Sequence, residues 1–265
     1  MDKYTIALIQ MDCVFADKAA NMEKAERLEE AGRYLEESFE RAKDEGDWRT
    51  QITILNEMMG FYRSVGESEP GLASVYEGFR LIGEHGMQET VTAGTTWVNG
   101  ATTLKAFGKA REALPYYESA FRVYGQLLDP SDYRFAGLLN NMALTYVDLG
   151  EFDKAEAYYE KAMQIIGGLP DGGMEMAVTY VNLACLWDER GKAAGRPFDE
   201  RIDECLDKAW EYLDDPRAKR DSYYAFTCRK CAGTFGYFGR FRIKKELEER
   251  ADRIYAGAGA GESVL

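Results

Sequence analysis

The 265-residue sequence predicts an all-α protein, a right-handed superhelical solenoid of about five helix pairs preceded by a short N-terminal strand. The first observation behind this is a pattern of a small residue, a large apolar residue three positions on and a glycine near the helix end. It recurs in LNEMMGFYRSVG (55–66), VNGATTLKAFGKAREALPYYESA (98–120), NNMALTYVDLGEFDKAEAYYEKA (140–162), VNLACLWDERG (181–191) and CAGTFGYFGRFRIKKELEERA (231–251). The second is a ruler: Asn56, Asn99, Asn141 and Asn182 recur every 41 to 43 residues, a period that marks stacked supersecondary units. The third is composition, since 46% apolar and 13% aromatic residues supply a core, while no apolar run approaches the roughly 20 residues a membrane helix needs.

Taken in order, the alternation of Ile6 and Leu8 in KYTIALIQMDC reads as one buried strand, and Asp17 onward as an amphipathic helix. Residues 34–45, YLEESFERAKDE, fit a lone helix that closes the first end of the array with Leu35, Phe39 and Ala42. Five pairs follow, each exposing an apolar face that only the next pair covers. The fourth pair is interrupted by an insertion around AAGRPF before it resumes at Ile202, Leu206 and Ala209, and the last helix, Phe241 to Tyr255, caps the other end. The expected organisation is residues 1–31 as an N-terminal strand and helix, 32–255 as the solenoid and 256–265 as a flexible tail rich in Gly and Ala.

Small residues let antiparallel helices approach closely while the aromatic fills the adjoining hole, and this alphabet resembles that of the tetratricopeptide repeat. The match is fullest at Ala143, Tyr146, Gly150, Phe152, Ala155, Tyr159 and Ala162. Trp97, Ala101, Leu104, Gly108, Ala113, Tyr117 and Ala120 take those places in the preceding unit, and Ala232, Phe235, Gly239, Phe241 and Ala251 in the last. The units run longer than the common repeat of about 34 residues, which is similar to the kinesin light chain type. Residues 3 to about 30 resemble the first strand and helix of the carbon-nitrogen hydrolase (nitrilase) family, whose catalytic Glu, Lys and Cys lie on later segments that are replaced here by repeats. Cys13, in the strand, does not take the nucleophile's place.

Charge and residue counts exclude several chemistries. One histidine, His85, leaves little room for histidine-dependent acid–base or zinc chemistry. Five cysteines at no framework spacing fit reduced thiols in a cytoplasmic protein; a bacterial source is also expected. Cys228 and Cys231, in CRKC, read as small buried residues of a helix. The net charge of −13 argues against nucleic-acid binding, although residues 217–245 carry nine basic residues and one acid. No cofactor, metal or membrane partner is expected.

The asparagine ladder stands out because asparagine is a mediocre helix former. The resemblance implies that these positions face a concave groove, where an amide offers the donor and acceptor that an extended peptide main chain needs. The alternative is that the asparagines make hydrogen bonds that tie successive repeats together. The expected peptide-binding set is Asn56, Asn99, Asn140, Asn141, Asn182, Tyr62, Lys105, Arg229 and Lys230, with selectivity also from Thr102, Leu144 and Asp188. Arg229 and Lys230 continue the ladder as two cations, so the ligand is expected to be acidic at that end. The function expected is a noncatalytic scaffold for a peptide or protein segment. The alternatives are a self-assembling structural protein and an accessory subunit of an amidohydrolase. The strand would bury itself by pairing in a homodimer or by docking along the first helices.

Overall fold

The computed structural model describes residues 18–260, with side chains over residues 27–257. Among the described residues there are eleven α-helices and no strand: α1 (Lys18–Asp44), α2 (Trp48–Val65), α3 (Ser68–Glu84), α4 (Val91–Ala106), α5 (Ala110–Leu127), α6 (Tyr133–Asp148), α7 (Phe152–Ile166), α8 (Gly173–Ala194), α9 (Asp199–Leu213), α10 (Ser222–Tyr237) and α11 (Phe241–Ala260). From α2 on they form five antiparallel pairs, as the repeat pattern requires. The expected strand, with Cys13, lies outside the described residues.

The chain divides into two compact units, residues 1–128 and 129–265. In the first, α1 packs on α2, and α2 and α3 pack on α4. In the second, α6 and α7 pack on α8, which packs on α10. The alanines of the repeat alphabet sit where helices meet: Ala101, Ala113 and Ala120 in the first unit and Ala143, Ala155 and Ala162 in the second are all 0% exposed. Ile52, Leu55, Met59, Leu104 and Tyr117 fill the core between the first unit's helices, and Leu138, Tyr159, Ile166, Leu186 and Phe235 that of the second.

Local chemistry sets the helix ends. Asp47, Thr90, Asp132 and Asp221 accept the first free N–H groups of α2, α4, α6 and α10 with their side chains. The turn inside a pair falls at a glycine in the left-handed region, with φ of 80° at Gly66, 79° at Gly108, 73° at Gly150 and 77° at Gly239, a conformation that L side chains avoid.

Three expectations are corrected. The boundary at residue 31 does not interrupt the backbone, because α1 runs through it to Asp44. Gly32 breaks nothing there: it is buried against Phe61 of α2, whose ring carbon would lie 3.0 Å from an added Cβ. Gly191 does not end its helix. α8 continues to Ala194 and stops at Gly195, with φ 64°, while the inserted segment folds back so that Arg196 N–H donates to the Gly191 carbonyl at 3.1 Å. Finally, α11 extends through Ala260; residues 261–265 lie outside the described part.

Candidate functional site

In the first unit the ladder residues tie helices together. Asn56 Nδ2 on α2 donates to the Ile52 carbonyl of its own helix at 2.8 Å and to Thr96 Oγ1 on α4 at 3.0 Å, while Asn99 Nδ2 on α4 donates to Asn56 Oδ1 at 2.8 Å. Asn56 thereby uses both its donors and its acceptor. Tyr62 is buried, contrary to a groove role, and its hydroxyl donates to Glu36 Oε1 on α1 at 2.6 Å. Burial first, and then that carboxylate, push its phenol well above the ordinary tyrosine range. Thr102 Oγ1 donates to the Val98 carbonyl at 2.7 Å and lies 3.0 Å from the Tyr117 hydroxyl. Lys105 is partly exposed on α4.

The second unit differs by one residue in register. Asn140, ten residues before its turn glycine as Asn56 is before Gly66, repeats the Asn56 geometry: its Nδ2 donates to the Ala136 carbonyl at 3.2 Å and to Thr179 Oγ1 on α8 at 3.0 Å. Asn141, like Asn99, lies nine residues before the glycine. The ladder therefore comprises two adjacent rows, and Asn56 belongs with Asn140 rather than with Asn99, Asn141 and Asn182. The second unit also lacks the closing bond. Asn140 Oδ1 is buried with no hydrogen-bond partner. The side-chain amides of Asn141 and Asn182, both partly exposed, make no hydrogen bond among the described residues. Leu144 is partly exposed on the same helix.

The basic C-terminal stretch is corrected as a row of available cations. Arg229 Nη2 meets Asp252 Oδ1 on α11 at 2.6 Å and its guanidinium lies 4.8 Å from the centroid of the Tyr255 ring. Arg240 bridges Asp203 and Asp207 of α9 at 2.7 and 3.0 Å. Arg217, Lys219, Lys244 and Lys245 each have a carboxylate within 4 Å as well. Sequence summation over 217–245 missed this because the acids come from neighbouring helices and turns or, for Lys244 and Lys245, from the next turn of the same helix, beyond the summed stretch. Lys230 is exposed on α10. Asp188, expected to select ligand, accepts from the Tyr237 hydroxyl at 2.9 Å and pairs with Lys192 at 2.8 Å.

Groups of chemical interest are engaged in packing. Cys228 and Cys231 are fully buried, and burial pushes their thiols up to about 11 and about 12, which disfavours the thiolate needed for redox or metal chemistry. His85 stacks on Trp48 with ring centroids 4.2 Å apart. Among the described residues no group of three or more His, Cys, Asp or Glu is placed to hold a metal ion, and no helix is long and apolar enough to cross a membrane.

Paired antiparallel helices, tied pair to pair through buried small residues and side-chain amides, define a helical repeat protein of the solenoid class. Residues 92–165 match the family model described as Tetratricopeptide repeat. Among solved structures it is similar to BtubC (BKLC) from P. vanneervenii, with 19% identity over 88% of this chain and 92% of that one and a TM-score of 0.56. It is also similar to the putative kinesin light chain nearly identical TPR-like repeats of Podosopora anserina, with 14% identity over 78% and 96% of the two chains and a TM-score of 0.50. At these identities the likeness is one of fold. No curated protein matches the chain. Tetratricopeptide repeats are in general a scaffold for protein–protein interaction.

Proposed function

We propose that the protein is a noncatalytic scaffold that binds an extended peptide or protein segment on the first-of-pair helices of its second unit, which supply main-chain recognition. The observation that carries this reading is the unsatisfied pair Asn141 and Asn182: equivalent places on the first helices of consecutive pairs, α6 and α8, partly exposed, with amides that bond to nothing among the described residues. Each offers a donor and an acceptor of the kind a peptide main chain needs. The buried Asn140 Oδ1 beside them lacks a donor, which an incoming N–H or a shift of a neighbouring amide would supply. Asn56 and Asn99, whose amides are bonded to each other, serve stability instead.

Selection of a displayed random peptide library on the purified full-length chain, followed by titration calorimetry of the enriched peptides, tests the reading. Asn141→Ala and Asn182→Ala are each expected to weaken such a peptide by about 1 to 3 kcal/mol through main-chain groups left unpaired. Unchanged affinity in both variants would remove the asparagines from the site.

A further inference from the structure

Among the described residues three buried side-chain oxygens have no hydrogen-bond partner: Asn140 Oδ1, Tyr159 Oη and Glu175 Oε2. Glu175 is the one that carries a charge, and it forms no ion pair among the described residues. An ionised carboxylate offers about four acceptor sites. Here the Tyr223 hydroxyl of α10 donates to Oε1 at 2.9 Å, and nothing reaches Oε2. Burial first, and then the charge and hydrogen bond of Glu175, hold the Tyr223 phenol well above the ordinary tyrosine range.

A second acceptor belongs to the same junction of helices. Glu175 lies in the first turn of α8, and one turn on Thr179 Oγ1 donates to the Glu175 carbonyl at 2.8 Å and accepts from Asn140 Nδ2 of α6 at 3.0 Å. The other hydrogen of that amide goes to the Ala136 carbonyl at 3.2 Å. Both donors of Asn140 are therefore spent, and its Oδ1 is left over close to the turn of α8 that carries Glu175. Two oxygens that need donors, one of them charged, thus come from packed helices of the second unit. The helix dipole favours an acid in the first turn of α8, but an exposed one would serve it. A carboxylate oxygen drawn out of water without a compensating charge is costly, and a glutamine in its place would accept the Tyr223 hydroxyl as well.

From this we infer that Glu175 and Asn140 receive a basic side chain of the bound segment, a lysine ammonium or an arginine guanidinium, with Glu175 Oε2 supplying the charge and Asn140 Oδ1 a second acceptor. Both cations carry several N–H donors and no acceptor, which is what the two oxygens lack. Tyr223 and Phe226, 46% and 41% exposed with ring centroids 6.4 Å apart, add aromatic surface beside the carboxylate for the cation or its apolar stem. Glu175 and Asn140 are partly exposed, and rotation of the exposed Tyr223 ring, which touches the carboxylate through its hydroxyl, opens Oε2 to a ligand. The net charge of −13 draws a basic segment toward the chain. The inference rests on the peptide-binding reading and deepens it. It gives the segment a charge opposite to the one expected from Arg229, whose guanidinium Asp252 already holds.

The probe is the set of peptides enriched from the random library on the full-length chain, resynthesised with each Lys changed to norleucine and each Arg to citrulline. The expected result is one shared basic residue whose neutral form binds the wild-type chain about tenfold more weakly, while Glu175→Gln binds the parent peptide and the neutral form within about twofold of each other. Loss with norleucine identifies an ammonium, and loss with citrulline identifies a guanidinium. Glu175→Gln removes a buried charge without changing the size of the side chain, so its urea midpoint is expected to equal or exceed that of the wild type. A lower midpoint, with the same loss of affinity for every peptide, would make the carboxylate structural and overturn the inference. Peptides that bind with no common basic residue, or a tenfold preference that survives in Glu175→Gln, overturn it while peptide binding stands. A library that enriches nothing overturns the binding reading and this inference with it. Should Glu175→Gln fail to fold, Glu175→Asp keeps the charge but draws it back by one methylene, and a preference unchanged in that variant counts against contact at Oε2.

Discussion

Asn99 Nδ2 donates from α4 to the side-chain Oδ1 of Asn56 on α2 at 2.8 Å, a bond between two helices that begin 43 residues apart in sequence. Asn99→Ala leaves a half-buried acceptor without its donor, a loss of about 1 to 3 kcal/mol. Asn141→Ala removes an amide that has no partner, and the expected change is within about 0.5 kcal/mol. Urea unfolding followed by circular dichroism measures both; equal losses would contradict the division between tied and open rows.

Tyr117 and Tyr159 hold the same place in successive second-of-pair helices, both 0% exposed. The Tyr117 hydroxyl lies 3.0 Å from Thr102 Oγ1, whereas the residue equivalent to Thr102 is Leu144, and the Tyr159 hydroxyl is buried without a partner. Burial accordingly holds the Tyr159 phenol well above its ordinary range. Tyr159→Phe removes only the cost of that orphan group and is expected to be neutral or to stabilise by about 1 kcal/mol. Tyr117→Phe, which removes a bonded hydroxyl, is expected to destabilise by a similar amount. Thermal unfolding of the two variants side by side decides it, and a destabilised Tyr159→Phe would point to a buried water at that hydroxyl.

The pairing of helices was legible in the sequence because packing leaves a signature: Ala101, Ala143 and Ala155 are small residues with no exposed surface where helices meet, and a left-handed turn favours glycine at 66, 108, 150 and 239. Gly191 misled because its lack of a side chain serves the returning insertion rather than a turn. The site was less legible. Whether an asparagine ties helices or faces solvent depends on a one-residue shift in register, which the partners Thr96 and Thr179 reveal: each lies twelve residues before the glycine ending its unit's pattern, a recurrence available to a closer count.

Cysteine titration gives a pH signature. Burial raises the thiols of Cys205 and Cys228 to about 11 and that of Cys231 to about 12. In the unfolded chain thiols ionise near 8.5. Their protonated form is thus favoured by folding; the contribution is intact below about pH 8.5 and is lost as pH rises toward the folded values. Stability is expected to fall between about pH 9 and 12, and Cys231→Ala to flatten that limb. At pH 8 these three thiols should react with an aromatic disulfide reagent only as fast as the protein opens, so rapid labelling of Cys231 in the folded state would refute the burial.

Arg250 fastens the last helix. From α11 its Nη1 donates to the Leu213 carbonyl at 3.1 Å and to the Tyr224 hydroxyl at 2.9 Å, its Nη2 pairs with Asp214 at 2.5 Å and also with Glu246, and its guanidinium lies 5.1 Å from the centre of the Trp210 ring. One side chain thus joins α11 to α9, α10 and the turn between them. Its own side chain is only 15% exposed, so these bonds are less screened than the surface pairs of α11 such as Lys245 with Glu249. Arg250→Gln is expected to cost about 1 to 3 kcal/mol, whereas Lys245→Gln should cost less than about 0.5 kcal/mol. Because stability in a repeat array is a sum over neighbours, the loss should appear first as faster amide exchange in α11 and α10, with protection in α6 and α7 unchanged. Uniform loss of protection throughout the second unit would mean that Arg250 supports the unit as a whole rather than its terminal pair.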